Sequence, residues 1–367
     1  MIETYHRIMH RDSRNLSFIE SGSVDLVVTS PPYPMIKMWD EMFTKLNPVI
    51  KHALSEEDGY KAFELMHLEL DKAWSELYRV LRSGGIMCIN IGDATRSLGR
   101  RFRLYPNGAR ILSKLIPLKF DVLPKILWRK STNSPTKFMG SGMLPAGAYV
   151  TLEHEYILIL RKGEKRPFLS DTEKKIRHES SYFWEERNKW FSDMWEWDVG
   201  SAYQKMTQES LRDRSGAFPF ELPYRLINMY SVKGDCVLDP FLGTGTTSLA
   251  ALSSCRSSIG IEIDEGFSKM IAELLCSCLE QANSFISERL AQHTRFIEQY
   301  ELKKGKPKYI NETYGFPVIT NQERKLGFNS IQSIEVNNSK DADTIHAVYY
   351  DDPSVICSPQ YTQKDLF

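Results

Sequence analysis

The stretch VLDPFLGTGTT, residues 237–247, predicts a buried strand, a glycine-containing turn and the first residues of a helix. The strand ends at Asp239, and Gly243 and Gly245 lie in the turn that follows. Glycine allows positive φ and has no side chain, so a ligand can approach the backbone of this turn closely. A helix N-terminus adds free N–H groups and a partial positive charge, which favour an anionic group. The stretch therefore predicts a ligand-binding loop.

Three classes of ligand compete for this loop. A P-loop requires a lysine in the turn, and its absence argues against nucleotide hydrolysis. A dinucleotide fingerprint requires a third glycine where Ser248 stands, which weakens that alternative without removing it. S-adenosylmethionine fits better, because Asp239 can meet its ammonium group and Glu262, after the next strand, can accept hydrogen bonds from ribose hydroxyls. A glycine-rich turn without a ligand is the remaining interpretation.

A second informative stretch is VDLVVTSPPY, residues 24–33, an apolar strand that ends in two prolines. Pro31 and Pro32 lack backbone N–H groups and have a fixed φ, so they end the strand in a stiff segment. The Ser30 hydroxyl and the Pro31 carbonyl could accept hydrogen bonds from an NH2 group, and Tyr33 could stack on a planar base. Taken alone, the tetrapeptide is better explained as a Pro-Pro turn with a packed tyrosine.

Length, charge and cysteine content narrow the classes of protein to which the chain can belong. The chain has 367 residues, with 47 Lys+Arg balanced by 47 Asp+Glu, so any nucleic-acid site must depend on local charge. No apolar segment approaches the length of a membrane span and no signal peptide is evident, so we expect a cytoplasmic protein. The six cysteines lack paired Cys-x-x-Cys spacing, and we expect them to be reduced, with no metal site.

Strands alternating with helices predict an α/β fold with a mainly parallel, doubly wound sheet. The predicted strands lie near 24–29, 86–93, 121–129, 154–160, 236–239 and 258–263. The predicted helices lie near 62–78, 112–118, 223–230, 246–253 and 267–300, the last broken once.

The two motifs, in this order, resemble the β-group of DNA amino-methyltransferases, in which a Pro-Pro-Tyr element precedes the cofactor loop. The resemblance covers roughly residues 5–275. It implies a Rossmann-like methyltransferase fold, S-adenosylmethionine as cofactor and double-stranded DNA as partner. It also implies methylation of an exocyclic amino group on a flipped base. Ser-Pro-Pro-Tyr is similar mostly to cytosine-N4 enzymes, whereas Asp-Pro-Pro-Tyr is commoner among adenine-N6 enzymes. Cytosine-N4 is therefore our expectation, and adenine-N6 the alternative.

Candidate site residues follow from the motifs and the resemblance together. The expected catalytic residues are Ser30, Pro31, Pro32 and Tyr33. The expected cofactor-binding residues are Asp12, Thr29, Phe218, Pro219, Leu222, Asp239, Pro240, Phe241, Gly243, Gly245, Thr246 and Glu262.

A locally basic segment supports DNA as the partner. Residues 96–137 contain eleven basic residues and a single acid, Asp121. Such a block is often only a solvated face, but beside a base-modifying site it predicts a track for phosphates. The expected DNA-binding residues, three of them in a glycine-flanked loop, are Arg96, Arg100, Arg101, Arg103, Arg129 and Lys130.

We expect four regions along the chain. Residues 1–162 form the catalytic half, and residues 216–300 form the cofactor-binding half. Residues 163–215, dense in charges and tryptophans, form a target-recognition insertion apart from the sheet. Residues 301–367 form a C-terminal extension without an assigned role.

Other functions share some of these features. Pro-Pro-Tyr elements also serve methylation of RNA, protein amides or small molecules, and a non-enzymatic DNA-binding protein would need no cofactor loop. The resemblance further suggests a restriction-modification system with a cognate restriction endonuclease as partner, and a monomeric or homodimeric state.

Overall fold

The computed structural model describes residues 2–130, 139–196, 218–338 and 342–356. The later part of the expected target-recognition insertion and residues 357–367 of the C-terminal extension lie outside this set. Across the described residues, no helix combines the length and apolar character needed to cross a bilayer.

The strands in chain order are β1 (Ile2–His10), β2 (Val24–Thr29), β3 (Leu81–Ile91), β4 (Ala94–Leu98), β5 (Arg101–Tyr105), β6 (Phe120–Arg129), β7 (Met139–Gly140), β8 (Ala148–Tyr149), β9 (His154–Lys162), β10 (Met194–Glu196), β11 (Cys236–Asp239), β12 (Ser257–Glu262), β13 (Tyr309–Ile310), β14 (Pro317–Val318), β15 (Ile331–Asn338) and β16 (Asp343–Tyr349). The α-helices are α1 (Asp40–Leu46), α2 (Val49–Ser55), α3 (Gly59–Val80), α4 (Asn107–Leu115), α5 (Asp171–Glu179), α6 (Trp184–Trp190), α7 (Glu221–Tyr230), α8 (Thr246–Leu252), α9 (Glu265–Ser277) and α10 (Leu279–Lys304).

A ten-stranded sheet organises the fold, in the order β10-β6-β9-β3-β2-β11-β12-β1-β16-β15. The adjacent strands from β3 to β1 all run parallel. In contrast, β9 is antiparallel to both of its neighbours. The predicted Rossmann-like α/β architecture with a mainly parallel sheet is therefore confirmed.

The central strand β2 is buried on both faces. Leu26 and Val28 belong to the core on one side, together with residues of α7 and α8. Val27 belongs to the core on the other side, with residues of α3. Burial on both faces explains why this strand is a continuous apolar run rather than an alternating one. The parallel strands β2, β11 and β12 end at the same edge of the sheet, with Thr29, Asp239 and Glu262 as their last residues.

Strand β1 is not among the predicted strands, because polar Thr4 and His6 occupy its buried face together with Ile8. Thr4 and His6 are fully buried, and the His6 ring shares hydrogen bonds of 2.9 Å with the Thr4 and Ser258 hydroxyls. Burial lowers the pKa of His6 to about 3, so the ring is neutral at physiological pH. These hydrogen bonds let β1 pair with β12, which brings the residues that follow it beside Glu262.

The segment after residue 163 differs from our expectation of a lobe apart from the sheet. Its strand β10 pairs with β6, and Trp195 in β10 is 1% exposed in the same core as Trp128. Earlier in the segment, Phe183 packs against Val318 and Leu326 of the C-terminal extension. Large aromatic side chains therefore join this segment to the core, because burying them yields more stabilisation than leaving them on a separate small lobe.

The C-terminal extension also enters the sheet. Strands β15 and β16 form a hairpin that continues the sheet beyond β1. The Tyr349 hydroxyl donates to the Leu252 carbonyl at 2.8 Å. At the start of β15, the Ile331 N–H donates to Asn283 Oδ1 at 2.7 Å, and Asn283 Nδ2 donates to the Ile331 carbonyl at 3.0 Å. One buried side chain of α10 thus satisfies both backbone groups of Ile331.

We predict that Asn283→Leu destabilises the fold by roughly 2–4 kcal/mol, because the buried N–H and C=O of Ile331 both lose their partner. Urea unfolding of the native protein and the variant measures the change. Glu298→Ala, an exposed substitution on the same helix, should stay within about 0.5 kcal/mol. An unchanged unfolding midpoint for Asn283→Leu would show that the hairpin is not anchored by this contact.

Candidate active site

The Asp239 carboxylate joins the ends of β2 and β11. The Thr29 hydroxyl donates to Asp239 Oδ1 at 2.7 Å, and the Thr247 hydroxyl donates to Oδ2 at 2.6 Å. The Phe241 N–H donates to Oδ1 at 3.1 Å. These three donors hold the strand before the tetrapeptide, the glycine loop and the first turn of α8 in one arrangement.

The Asp239 carboxyl group has an unusually high pKa. The residue is 2% exposed, and burial raises its pKa to about 6, although the Thr247 and Thr29 hydroxyls oppose part of that effect. Both oxygens already accept hydrogen bonds within the protein. Asp239 thus organises the loop, and its expected contact with an ammonium group stays a prediction.

The glycine loop leaves room for a ligand beside an acid. Gly243 has a φ of 56°, and a Cβ atom added there would meet no heavy atom within 4 Å. Gly245 has a φ of 84°, and a Cβ there would lie 2.7 Å from the Ile271 side chain. The Gly243 N–H donates to Glu262 Oε2 at 2.8 Å, which places that carboxylate beside the open space. Both positions favour glycine because of their positive φ, and at Gly245 the close Ile271 side chain also leaves no room for a Cβ atom.

Glu262 is held by backbone donors from two segments. Besides Gly243, the Asp264 N–H donates to Glu262 Oε1 at 2.9 Å. Burial raises the pKa of Glu262, and these N–H groups oppose the effect. Each carboxylate oxygen has a further lone pair available, so the side chain can still accept hydrogen bonds from a diol.

The remaining expected cofactor residues lie around this loop at different depths. Phe218 and Pro219 are buried directly before α7, and Phe241 lies edge-on to the Trp74 ring at 6.1 Å. Leu222 is fully buried in the same core as Phe218, so its side chain packs behind the segment that contains Phe218 and Pro219. Pro240 is buried, and the Thr246 hydroxyl shares a 3.1 Å hydrogen bond with Thr244.

Asp12 lies near the same edge but already has a cationic partner. The Arg11 N–H donates to the Glu262 carbonyl at 3.1 Å, so the chain after β1 runs beside β12. The Asp12 carboxylate forms an ion pair of 2.7 Å with Arg14, which also contacts Glu69. A role for Asp12 in ligand binding stays a prediction, and it would have to coexist with this ion pair.

The tetrapeptide is part of a hydrogen-bonded network. Ser30 Oγ donates to the Tyr33 hydroxyl at 3.2 Å, and the Tyr33 hydroxyl donates to Glu155 Oε2 at 2.9 Å. Asn90 Nδ2 donates to both the Tyr33 oxygen and Glu155 Oε2, at 2.9 and 2.7 Å. Lys130 Nζ donates to Glu155 Oε1 at 2.9 Å. Burial and the Glu155 carboxylate raise the pKa of Tyr33 well above its ordinary value, so its hydroxyl stays protonated.

Sequence reasoning missed Asn90 and Glu155. Asn90 lies within the apolar run of β3, and Glu155 lies near the start of β9, two strands that are neighbours in the sheet. A polar side chain inside an otherwise apolar strand was the available signal for Asn90. For Glu155 only the pairing of β3 with β9 reveals the contact.

The segment after Tyr33 is fixed by a buried amide. Asn107 Nδ2 donates to the Pro34 carbonyl at 3.1 Å and to the Gly92 carbonyl at 3.0 Å. A Cβ at Gly92 would lie 3.1 Å from the Tyr33 ring, so the absence of a side chain there lets the ring pack closely. The tyrosine is thus positioned by both its hydroxyl and its ring.

The expected basic residues divide into two groups. Arg100, Arg101 and Arg103 belong to a hairpin of β4 and β5, where the sequence analysis expected a loop. Arg100 and Arg101 are exposed, and the Arg103 guanidinium lies 4.4 Å from the Tyr60 ring centre. The hairpin directly follows the end of β3, so it projects from the edge that carries the network.

The other three basic residues already form ion pairs. Arg96 binds the Asp40 carboxylate with two contacts, at 2.8 and 2.7 Å. Arg129 lies 3.4 Å from Glu153 and 3.7 Å from Glu196, and is 59% exposed. Lys130 binds Glu155 in the tetrapeptide network, and its expected contact with DNA phosphates stays a prediction.

The described residues contain no group of three or more His, Cys, Asp or Glu side chains arranged to hold a metal ion. The cysteines among them are free: Cys88, Cys236, Cys255, Cys276 and Cys278. Cys357 lies outside the described residues.

This chain is similar in sequence and fold to known DNA methyltransferases. Residues 24–273 match a family described as DNA methylase, the N6/N4 methyltransferases. The type II methyltransferase M.MthZI of Methanothermobacter thermautotrophicus is 50% identical over 326 residues, covering 89% of this chain and 90% of the relative. M.MjaI of Methanocaldococcus jannaschii is 50% identical over 283 residues, covering 74% of this chain and 91% of the relative.

A solved structure is similar in fold as well as sequence. It is a putative DNA modification methylase from Thermus thermophilus in complex with S-adenosyl-L-methionine. The two chains are 30% identical with a TM-score of 0.56, and the similarity covers 74% of this chain and 95% of the other.

We predict that Asp239→Asn flattens the pH dependence of stability. Because folding raises the pKa of Asp239 to about 6, its stabilising contribution is complete below about pH 4 and is lost as the pH rises through about 6. The difference from the ordinary pKa near 4 corresponds to roughly 3 kcal/mol. Unfolding free energies of the native protein and the variant, measured across this pH range, test the effect.

The matched control for this measurement is Asp171→Asn, because Asp171 is an exposed carboxylate at the start of α5. The control should keep the pH slope of the native protein. If Asp239→Asn keeps it too, the ionisation of Asp239 does not limit stability.

Proposed function

Because this chain belongs to the N6/N4 family of DNA methylases and is an S-adenosylmethionine-dependent DNA methyltransferase, we propose that it methylates the N4 amino group of cytosine in duplex DNA. The observation that carries the proposed methylation of an amino group is the orientation of the Ser30 hydroxyl. Its proton is donated to Tyr33, whose own proton is donated to Glu155. The lone pairs of Ser30 Oγ therefore remain available to accept a hydrogen bond from an amino group.

The residues of the glycine loop fit the cofactor. The open space above Gly243 admits a ligand against the backbone, and Glu262 beside it can accept hydrogen bonds from ribose hydroxyls. Phe218 and Pro219 would line the methionine part, and Asp12 would approach the adenine amino group. When bound, the cofactor supplies an electrophilic methyl group on a sulfonium centre.

The protein activates the target by positioning and electrostatics. The amino group of the extruded base would donate to Ser30 Oγ and to the Pro31 carbonyl, which shifts electron density towards its nitrogen. Pro31 and Pro32 keep that carbonyl rigid, and Tyr33 would hold the face of the base. No covalent bond between enzyme and base is needed.

The same network offers a route for the proton that leaves the methylated nitrogen. That proton would pass to Ser30 Oγ as the Ser30 proton passes to Tyr33 and the Tyr33 proton passes to Glu155 Oε2. The contacts of 3.2 and 2.9 Å are short enough for both internal transfers. Lys130 Nζ, at 2.9 Å from the other oxygen of Glu155, donates a hydrogen bond to the receiving carboxylate and holds it in place.

The choice of cytosine rests on the first residue of the tetrapeptide. A serine there resembles the cytosine-N4 enzymes, whereas adenine-N6 enzymes of this group more often carry an aspartate. Adenine-N6 methylation is the second candidate, since Pro31 and Tyr33 would serve either base.

DNA contacts are proposed for the β4–β5 hairpin. Arg100 and Arg101 are exposed on it, and Arg103 is held by Tyr60, so their charges can meet phosphates. The Phe102 and Tyr149 rings stack at 4.5 Å, which braces the hairpin against β8. We further propose that residues 163–215 read the target sequence. Because the relatives M.MthZI and M.MjaI are named type II methyltransferases, a cognate restriction endonuclease is also proposed as a partner.

The decisive experiment identifies the methylated base. DNA treated with the purified enzyme and S-adenosylmethionine is digested to nucleosides and analysed by mass spectrometry. N4-methylcytosine supports the proposal, whereas N6-methyladenine replaces it with the second candidate.

We predict that Ser30→Ala lowers turnover far more than cofactor affinity, because it removes the acceptor for the amino group and leaves the hydrogen bonds of the cofactor loop in place. Asp239→Ala should do the reverse, because it releases the loop that Thr29, Thr247 and Phe241 hold in place. Single-turnover methylation and calorimetric cofactor binding measure the two quantities. Unchanged turnover in Ser30→Ala would contradict the proposed contact with the target amine.

We predict that Glu155→Gln lowers single-turnover methylation about tenfold or more, although glutamine can still accept the Tyr33 hydrogen bond. Tyr33→Phe should be at least as slow, because it removes both the acceptor for Ser30 and the proton route. Tyr5→Phe, which removes an exposed hydroxyl on β1, is the matched control. Native rates in Glu155→Gln would limit Glu155 to positioning Tyr33.

A further inference from the structure

A cavity of about 970 Å³ lies away from the catalytic edge. Its walls include the beginning of β3, the end of β9, the segment from Lys165 to Asn188 and the end of α7. Ile86, which lines it, precedes Asn90 of the tetrapeptide network by four residues along β3. At the rise of an extended strand, this places the cavity about 13 Å from that network.

The cavity is lined by cations. Among the described residues that form its walls there is no Asp or Glu side chain. The lining residues that are basic or can become so are Arg161, Lys165, Arg166, Arg177, His178 and Arg187.

Three acids of the same segment form hydrogen bonds or ion pairs outside the cavity lining. Glu173 closes the capping box at the start of α5. Glu185 contacts His293 at 2.7 Å, and Glu186 forms an ion pair of 2.6 Å with Arg289. Three acids of this segment thus bind α10 or cap a helix, whereas six of its basic or potentially basic neighbours line the cavity.

Aromatic rings contact three of the guanidinium groups. Phe168 lies between Arg166 and Arg177, whose guanidinium carbons are 4.8 and 4.7 Å from its ring centre. Arg187 lies 5.4 Å from the Phe191 ring centre. Arg166 is also anchored by Asp235 at 2.6 Å. Such contacts fix a planar guanidinium while leaving N–H donors for an anion.

The wall also offers surfaces for a planar ring. Tyr182, Trp184 and Tyr230 line the cavity together with the amides of Asn188 and Gln322. Guanidinium groups match phosphate oxygens in bidentate geometry, and aromatic side chains stack on bases. The volume is at the upper end of the range for small-molecule sites.

We propose that this cavity is a second, non-catalytic site for a nucleotide, with its phosphate on Arg177 and Arg187 and its base among the aromatic side chains. The nucleotide can be free or part of a DNA strand, since both offer the same chemistry. The site is separate from the target-base and cofactor sites and does not depend on which base is methylated.

The test compares two double variants of the full chain with equal charge change on the same two helices. Arg177→Glu/Arg187→Glu reverses lining residues, whereas Lys174→Glu/Lys189→Glu reverses exposed residues outside the lining. ATP and a short single-stranded oligonucleotide are the probes, titrated by calorimetry and by fluorescence anisotropy. Saturating S-adenosylhomocysteine keeps the cofactor site filled.

We expect the lining variant to bind at least one probe about tenfold more weakly than the native protein, and the control to change less than about twofold. A loss for ATP identifies a free nucleotide, and a loss for the oligonucleotide alone identifies a DNA strand. Equal binding by both variants, or binding of neither probe by the native protein, overturns the proposal. The methylated base, identified separately by mass spectrometry, tests the proposed function independently of these outcomes.

Discussion

The hydrogen bond between Thr29 and Asp239 is the contact on which the site depends. It joins two residues 210 positions apart in the chain, one next to the tetrapeptide and one at the start of the glycine loop. A buried carboxylate without donors would be strongly unfavourable, so the fold must bring Thr29, Thr247 and the Phe241 N–H to it. Satisfying one acid thereby fixes the position of the catalytic segment relative to the cofactor loop.

A second constraint comes from the antiparallel strand β9. Because β9 pairs with β3, Glu155 reaches the hydroxyl of Tyr33 and the amide of Asn90. The direction of donation through Tyr33 then determines that Ser30 presents lone pairs rather than a proton. For this reason the neutral Ser30 hydroxyl can serve as the acceptor. The nearby carboxylate of Glu155 orients Ser30 through Tyr33 and does not itself replace the serine as acceptor.

The insertion and the C-terminal extension are built into the same framework. Strand β10 adds to one side of the sheet, the β15–β16 hairpin adds to the other, and Phe183 packs against the extension. The ion pair of Glu186 with Arg289 joins α6 to α10. These contacts hold Glu185 and Glu186 against α10, outside the lining of the cation-rich cavity.

The sequence by itself determined the elements whose signals are local. Both motifs could be read from the sequence: the apolar run of β2 with its Pro-Pro ending, and the Gly243–Gly245 turn. The parallel α/β fold followed from the alternation of strands and helices, because periodicity and turn chemistry depend on neighbouring residues. Only the tertiary structure decided the pairing of β1 through buried His6, the entry of β10 into the sheet, and the roles of Asn90 and Glu155. The tertiary structure also pairs Arg96 with Asp40 and Lys130 with Glu155. These features depend on contacts between residues far apart in the chain, and a carboxylate or a guanidinium has no local signal for the partner that folding brings to it.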